Sequence, residues 1–315
     1  MIIKLIVRRL LSVVPVLLIV ALVVLLLLEL MPADPAEVIA GDLALPAEVE
    51  RTREQLGLGR SFGERYVSYV ADAAVGDLGE SWFTSESVSS KLFRALPVTA
   101  SVTIVAFGVA VLLAVPTGGA AAVCRGRPFD RVFSTATSAL LAVPTFVSGL
   151  VLVLVFSLWL ELLPATGYVP FGESPWQWLR HLILPGFTVG VVAAATLSRQ
   201  IRSRMGEVMD EDFVRSARAA GLSERTVIGK RVARNAAAPA LTVAGLQVSA
   251  MLSGSLIVER IFGLPGFGSV TLDAVFRRDM PVVQGSVLVS SAIVVVVNLL
   301  VDISVVYANP KLRTG

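Results

Sequence analysis

The sequence predicts an all-α integral membrane protein with six transmembrane helices, and three observations carry that prediction. Of the 315 residues, 55% are hydrophobic and only 16% are charged, where an ordinary soluble domain carries about a quarter charged residues. Uncharged runs repeatedly reach the ~20 residues needed to cross a bilayer core. The basic residues gather on alternate segments between those runs, as they do on the cytoplasmic side of membrane proteins. A mean hydropathy of +0.78 fits the same class.

The first span is residues 10–30, almost wholly apolar and preceded by Lys4, Arg8 and Arg9. A secretory signal would begin similarly, but this stretch exceeds a typical h-region and no small-residue cleavage site follows it. Residues 1–30 are therefore expected to be a retained N-terminal transmembrane helix, with Pro15 placed to bend it and Glu29 close enough to its outer end to reach water. Residues 31–97 differ in character, with eleven acidic and six basic side chains and helical patterning over 47–56 and 62–74. This is an extracytoplasmic insertion of short helices.

Residues 98–315 hold the remaining five spans. The second, 98–123, is uncharged and contains Pro116, Gly118 and Gly119. The third, 132–160, is again uncharged, with Pro144 in its middle. A loop at 161–180 carries Trp176 and Trp178, suited to anchor at the membrane interface. The fourth span, 181–198, is short and rich in small residues; the fifth is 236–258 and the sixth 282–307.

Six spans put both termini on one side, and charge says which. Segments 1–9, 124–131, 199–235 and 308–315 carry seventeen Lys and Arg, against ten on the longer segments 31–97, 161–181 and 259–281. Acidic residues run the other way, six against sixteen. The positive-inside rule places both termini in the cytoplasm and the 31–97 insertion outside. The net charge of +3 therefore encodes orientation and is no nucleic-acid footprint.

Composition also excludes chemistry. One cysteine, Cys124, and one histidine, His181, rule out an internal disulfide and the multi-residue metal motifs. No nucleophile–base pair stands out. Gly263-Leu264-Pro265-Gly266-Phe267-Gly268 superficially resembles a phosphate loop, but it lacks the Lys-Ser/Thr ending and falls outside; a tight turn between spans fits better. Asp302, in the last span, is a carboxylate at membrane depth. It fits a structural partnership at the inner interface more readily than an ion relay. Thr242, Gln247, Ser249, Ser253 and Ser255 in the fifth span suit a solute path and helix–helix packing equally.

The cytoplasmic stretch 210–223 is the sequence's candidate site. Asp210, Glu211 and Asp212 open a short helix and Gly221 ends it. Phe213, Val214, Ala217 and Ala220 recur at helical spacing, and Ser216, Ala217, Ala219, Ala220 and Gly221 offer a small-residue surface flanked by Arg215 and Arg218. Ser223 is placed to cap a second helix toward Asn235, with Pro239 starting the next span. Such a knob suits insertion into a partner's groove. An amphipathic linker lying on the bilayer fits the same pattern.

The ordered motifs resemble those of binding-protein-dependent ABC importer permeases, in particular the first permease subunit of the dipeptide/oligopeptide/nickel group. They are Met31-Pro32-Ala33-Asp34-Pro35, Arg53-Glu54-Gln55-Leu56-Gly57-Leu58, Gly76-Asp77-Leu78-Gly79-Glu80-Ser81 and Leu96-Pro97-Val98-Thr99. They continue with 212–223, Arg234-Asn235-Ala236-Ala237-Ala238-Pro239, 262–268 and Asn298-Leu299-Leu300-Val301-Asp302, so the resemblance covers essentially the whole chain. Departures are Arg215 and Ser216 where the broader motif has Glu and Ala, Ala220 where Lys is frequent, and Asn309 where Asp is common.

The resemblance implies a type I ABC importer permease fold in the bacterial cytoplasmic (inner) membrane, with Asp212, Phe213, Arg215, Ser216, Ala217, Arg218, Ala219, Ala220, Gly221, Leu222 and Ser223 forming the ATPase-coupling helix. It implies as partners a homologous second permease subunit, two cytoplasmic ATP-binding subunits, an extracytoplasmic solute-binding protein and membrane lipid. ATP and Mg would reside in the ATP-binding subunits, with no catalysis or cofactor in this chain. Di- or oligopeptides are the expected cargo, with nickel complexes, glutathione or another small solute as alternatives. A self-contained secondary transporter is the alternative of a different class; it would favour internal repeats and intramembrane charges, which the sequence does not display.

Overall fold

The computed structural model describes residues 2–30, 34–41 and 44–308. Among these, regular structure is helical throughout, apart from an isolated bridge between Glu80 and Ser87. The helices in chain order are α1 (Ile2–Glu29), α2 (Pro35–Ala40), α3 (Pro46–Gln55), α4 (Phe62–Ala74), α5 (Val88–Val123), α6 (Pro128–Ala142) and α7 (Thr145–Leu152), which continues as a π-helical turn, Val153–Trp159. There follow α8 (Pro175–Met209), α9 (Asp212–Ala219), α10 (Glu224–Thr226), a second π-helical stretch (Val227–Val232), α11 (Ala233–Ile261), α12 (Phe267–Arg277) and α13 (Met280–Ala308).

The all-α membrane architecture is as expected. Among the described residues, four helical stretches are long and apolar enough to cross a bilayer: Val88–Val123, Pro175–Met209, Pro239–Ile261 and Met280–Ser304. α1 is a 28-residue helix whose stretch Val13–Leu27 is apolar. The third span departs from expectation, because α6 and α7 meet at a 97° bend where a single helix over 132–160 was predicted. Pro144 has no amide hydrogen and drives the preceding residue out of helical geometry. Val143 accordingly has φ −83° and ψ 126°.

Other boundaries move for physical reasons too. α5 begins at Val88 rather than 98 and carries Pro97 inside it. α8 starts at Pro175, with Ser174 accepting a hydrogen bond from the Gln177 amide as its cap, and runs well beyond the predicted 181–198. Trp178 is consequently no free interface anchor: its Nε1 donates to Ser101 Oγ at 3.2 Å, and its ring meets Phe171 edge-on at 5.3 Å. Trp176 remains exposed. Pro239 opens the membrane-spanning stretch Pro239–Ile261 as expected, but the helix α11 that carries it begins earlier, at Ala233.

Two compact units are distinguishable, with boundaries inside α5, α12 and α13. The first contains Pro97–Ser269 and the part of α13 from Val296 onward. Here α8 packs against α6, α7 and α11. α5 approaches α8 so closely that a Cβ at Gly118 would lie 2.5 Å from the Ser198 carbonyl oxygen, and one at Gly190 would lie 2.5 Å from that of Ala106. Small residues allow such contacts where lipid removes the hydrophobic drive between helices. The buried hydroxyls of Thr103 and Thr188 bond back to their own helices at 2.8 and 2.7 Å, as burial in an apolar medium demands.

The second unit contains Ile2–Leu96 and Val270–Val295. α3 and α4 fall close to the predicted 47–56 and 62–74, and Ser61 with Glu64 forms a capping box at the start of α4. α4 packs on α1, where Tyr66 Oη donates to the Leu18 carbonyl at 3.1 Å and Arg65 pairs with Glu29. Arg53 pairs with Asp34, tying α3 to the cap of α2. Asp279, only 3% exposed, accepts from Ser81 Oγ at 2.5 Å and from the Trp82 amide at 3.1 Å. That carboxylate fastens the end of the insertion to the turn before α13.

Candidate functional site

The predicted knob is α9, set between α8 and α10 by two short turns. Asp210 pairs with Arg125 at 2.9 Å, Glu211 is the N-cap residue and Asp212 pairs with Arg215 at 3.4 Å. At the other end Gly221 has φ +78°, the Gly221 amide bonds the Arg218 carbonyl at 2.9 Å, and the Leu222 amide reaches the Ala217 carbonyl at 3.3 Å. This is a Schellman stop, which needs a left-handed residue that glycine supplies without strain. Arg218 then binds Glu224 through Nε at 2.7 Å, bracing α9 against α10.

The knob is seated on the chain's own core. Val214 is fully buried, in a cluster with Leu197, Ile201, Met205, Val227 and Val232, and Ala217 packs at its edge. Phe213 is 37% and Leu222 38% exposed. Asp212, Arg215, Ser216, Arg218, Ala219, Ala220, Gly221 and Ser223 are exposed as well. The expected single face is thus divided: Val214 and Ala217 point inward, while Phe213 and Ala220 face out with Ser216 and Ala219. Ser223 occupies the N-cap position of α10, but its hydroxyl contacts Thr226 Oγ1 at 3.0 Å instead of a backbone amide.

The fifth-span candidates separate. Gln247 is half-buried, Ser253 is exposed, and Ser249 Oγ lies 3.5 Å from Asn298 Oδ1. Ser255 is wholly buried and its hydroxyl donates to the Leu252 carbonyl at 2.9 Å. Asp302 is half-buried near the C-terminal end of α13. His181, half-buried, is held by its Nδ1 2.8 Å from the Gln177 carbonyl.

One residue escaped the sequence reading. Glu259, assigned there to a loop, lies in the last turn of α11 and has no exposed surface. Its carboxylate accepts from Thr99 Oγ1 at 2.7 Å and from the Ser269 amide at 3.1 Å, with the Ser255 hydroxyl and Gly268 amide against it. Thr99 Oγ1 in turn accepts from the Phe267 amide at 2.9 Å. The carboxyl group therefore sits at the N-terminus of α12, where the first amides of that helix lack partners within it. A Cβ at Gly266 or Gly268 would collide with its oxygens. The glycines of the 263–268 turn make room for a carboxylate, and Gly263, at φ +57°, lets the Leu264 amide close on the Glu259 carbonyl at 2.9 Å.

Comparison with known proteins meets this geometry. The profile of the binding-protein-dependent transport system inner membrane component matches residues 114–314, and the N-terminal profile of the same transport systems matches residues 2–103. The chain belongs to this permease family. It is 40% identical over 309 residues to a protein of Brucella abortus (strain 2308) whose name provisionally assigns it to a peptide transport system, with 98% of each chain covered. It is 36% identical over 308 residues to the glutathione transport system permease protein of Escherichia coli (strain K12), again with 98% of each covered. The permease is thus a multi-span inner-membrane component of an ABC importer, and its family role is transport.

Proposed function

We propose that the permease forms half of an ATP-driven pathway for di- or oligopeptides, its α9 docking on one of two cytoplasmic ATP-binding subunits. A homologous second permease subunit supplies the other half, and an extracytoplasmic binding protein delivers cargo. ATP and Mg belong to the ATP-binding subunits. Closure of those subunits draws the knobs inward and switches which side of the membrane the pathway faces, a rigid-body transition. The observation that carries this reading is α9 itself, an anchored helix whose outward surface sets the small residues Ser216, Ala219 and Ala220 beside Phe213 and Arg215. The basic segments 124–131 and 199–235 favour a cytoplasmic position for it and for both termini.

Peptide cargo is favoured because the relatives are named for peptide and glutathione transport, and glutathione is itself a short peptide. The test is co-expression with the proteins encoded beside it, followed by purification and uptake into proteoliposomes. ATP-binding subunits should co-purify, and labelled tripeptide should accumulate only with ATP inside the compartment that α9 faces. Uptake without any nucleotide-hydrolysing subunit would overturn the mechanism, and a preference for nickel over peptides would overturn the cargo.

The acidic insertion is the favoured docking region for the binding protein. Asp72, Asp77 and Glu80 line one cleft of about 490 Å³, beside Tyr69 and Gln284. Burial pushes the Tyr69 phenol up to about 12. Opposite charge on a partner would speed encounter in a salt-dependent way. Reversing all three carboxylates to lysine should slow association of the binding protein by about tenfold at low salt and flatten its salt dependence. Unaltered association kinetics would remove the insertion's charge from the docking step.

A further inference from the structure

Two ion pairs join the α5–α6 turn to the segment that carries α9. One is exposed: Arg125 Nη1 to Asp210 Oδ2, with both side chains more than half accessible. Exposed pairs of this kind contribute little. The other is sheltered and two-pronged. Asp130, in the first turn of α6, is 4% exposed. It accepts Arg202 Nε on one oxygen and Arg202 Nη2 on the other at 2.8 Å, and the Gly126 amide closes the second oxygen at 2.9 Å. A guanidinium fork on a carboxylate fixes orientation as well as distance, which a lysine cannot do.

The position of this pair matters more than its strength. Arg202 lies on α8 two turns before that helix ends at Met209, and α9 begins at Asp212. α8 is continuous across this region, so a displacement of α9 reaches Arg202 with little intervening slack. Asp130 lies at the base of α6, and α6 ends at the Val143–Pro144 joint where the chain turns by 97°. No helical hydrogen bond through Pro144 opposes a change of angle there. α6 thus packs on α8, is tied to it at its base by the Arg202 fork, and ends at the Val143–Pro144 joint.

We infer that Asp130 and Arg202 are positioning residues that carry the movement of α9 into α6, with Val143–Pro144 as the joint about which the third span changes shape. This rests on α9 being the contact for the ATP-binding subunits. The pair touches no cargo; it acts by holding α6 to the element that moves.

The experiment uses the complete importer with its binding protein in proteoliposomes, reading cargo moved per ATP hydrolysed and the stimulation of hydrolysis by loaded binding protein. Arg202→Lys and Asp130→Asn should retain the ATP-binding subunits and basal hydrolysis while lowering cargo per ATP by about tenfold, a loss of coupling between sites. The exchange Asp130→Arg with Arg202→Asp should recover a large part of that loss. Wild-type cargo per ATP in both single variants overturns the inference, as does joint loss of assembly and hydrolysis without recovery in the exchange, which marks a purely structural pair. Ala219→Trp serves as the reference. If that variant still binds the ATP-binding subunits, the assignment of α9 fails, independently of what the ion pair does.

Discussion

Tryptophan at Ala219 is expected to abolish coupled transport, with uptake at least about tenfold down and the ATP-binding subunits no longer co-purifying, while the permease remains in the membrane. Ala219 is exposed, on the side of α9 opposite the buried Val214. A large side chain there costs the fold almost nothing, since surface substitutions usually change stability by less than about 0.5 kcal/mol. It nevertheless blocks close approach of a partner across Ser216, Ala219 and Ala220. Gly221→Pro should give the same functional loss by a different route. A proline cannot adopt φ +78° and has no amide to give the Arg218 carbonyl, so the helix stop is lost. A bulky residue at Ala217 is the less clean probe, because Ala217 packs on the permease's own core and the knob would be unseated from within. Membrane insertion, ATPase co-purification and uptake should be measured on the same preparations. Full transport by both Ala219→Trp and Gly221→Pro would strip α9 of its role.

The second large effect is expected at Glu259. Glu259→Ala leaves the Thr99 hydroxyl and the Ser269 amide facing each other without an acceptor between them, both buried. Each orphaned group costs about 1–3 kcal/mol, so the permease should lose roughly 3 kcal/mol or more. Glu259→Gln keeps one acceptor oxygen but turns a donor toward the amides, and should fall between. Gly266→Val should match the alanine variant, since its side chain must enter the space the carboxylate fills. Thermal unfolding of the purified permease in detergent, followed by tryptophan fluorescence and by protease sensitivity of the 259–281 segment, reads all three. A melting curve for Glu259→Ala that overlays the parent would show that the carboxylate is dispensable to the fold.

Much of this architecture was readable from local pattern. The helices of the insertion were legible because α3 and α4 keep helical spacing. The 97° break was signalled by Pro144, yet a proline amid uninterrupted apolar residues does not say whether a span bends gently or stops. α9 was legible as a helix but not in its facing. Eight residues give too few turns for periodicity to point inward, and burial of Val214 is decided by partners such as Leu197 and Val232, distant in sequence. Glu259 was the hardest case. A charged residue beside an apolar run reads as the first residue of a loop, and only the fold brings Thr99 and the amides of α12 around it.

The burial of Val214 has a practical corollary for pharmacology. An isolated helix of eight residues lies well below the length that holds its shape in water, and α9 owes its form to the surface beneath it. A synthetic peptide copying residues 210–223 would be a poor decoy for whatever grips this knob. An inhibitor built to mimic it would need a covalent staple, or a scaffold that replaces the missing floor.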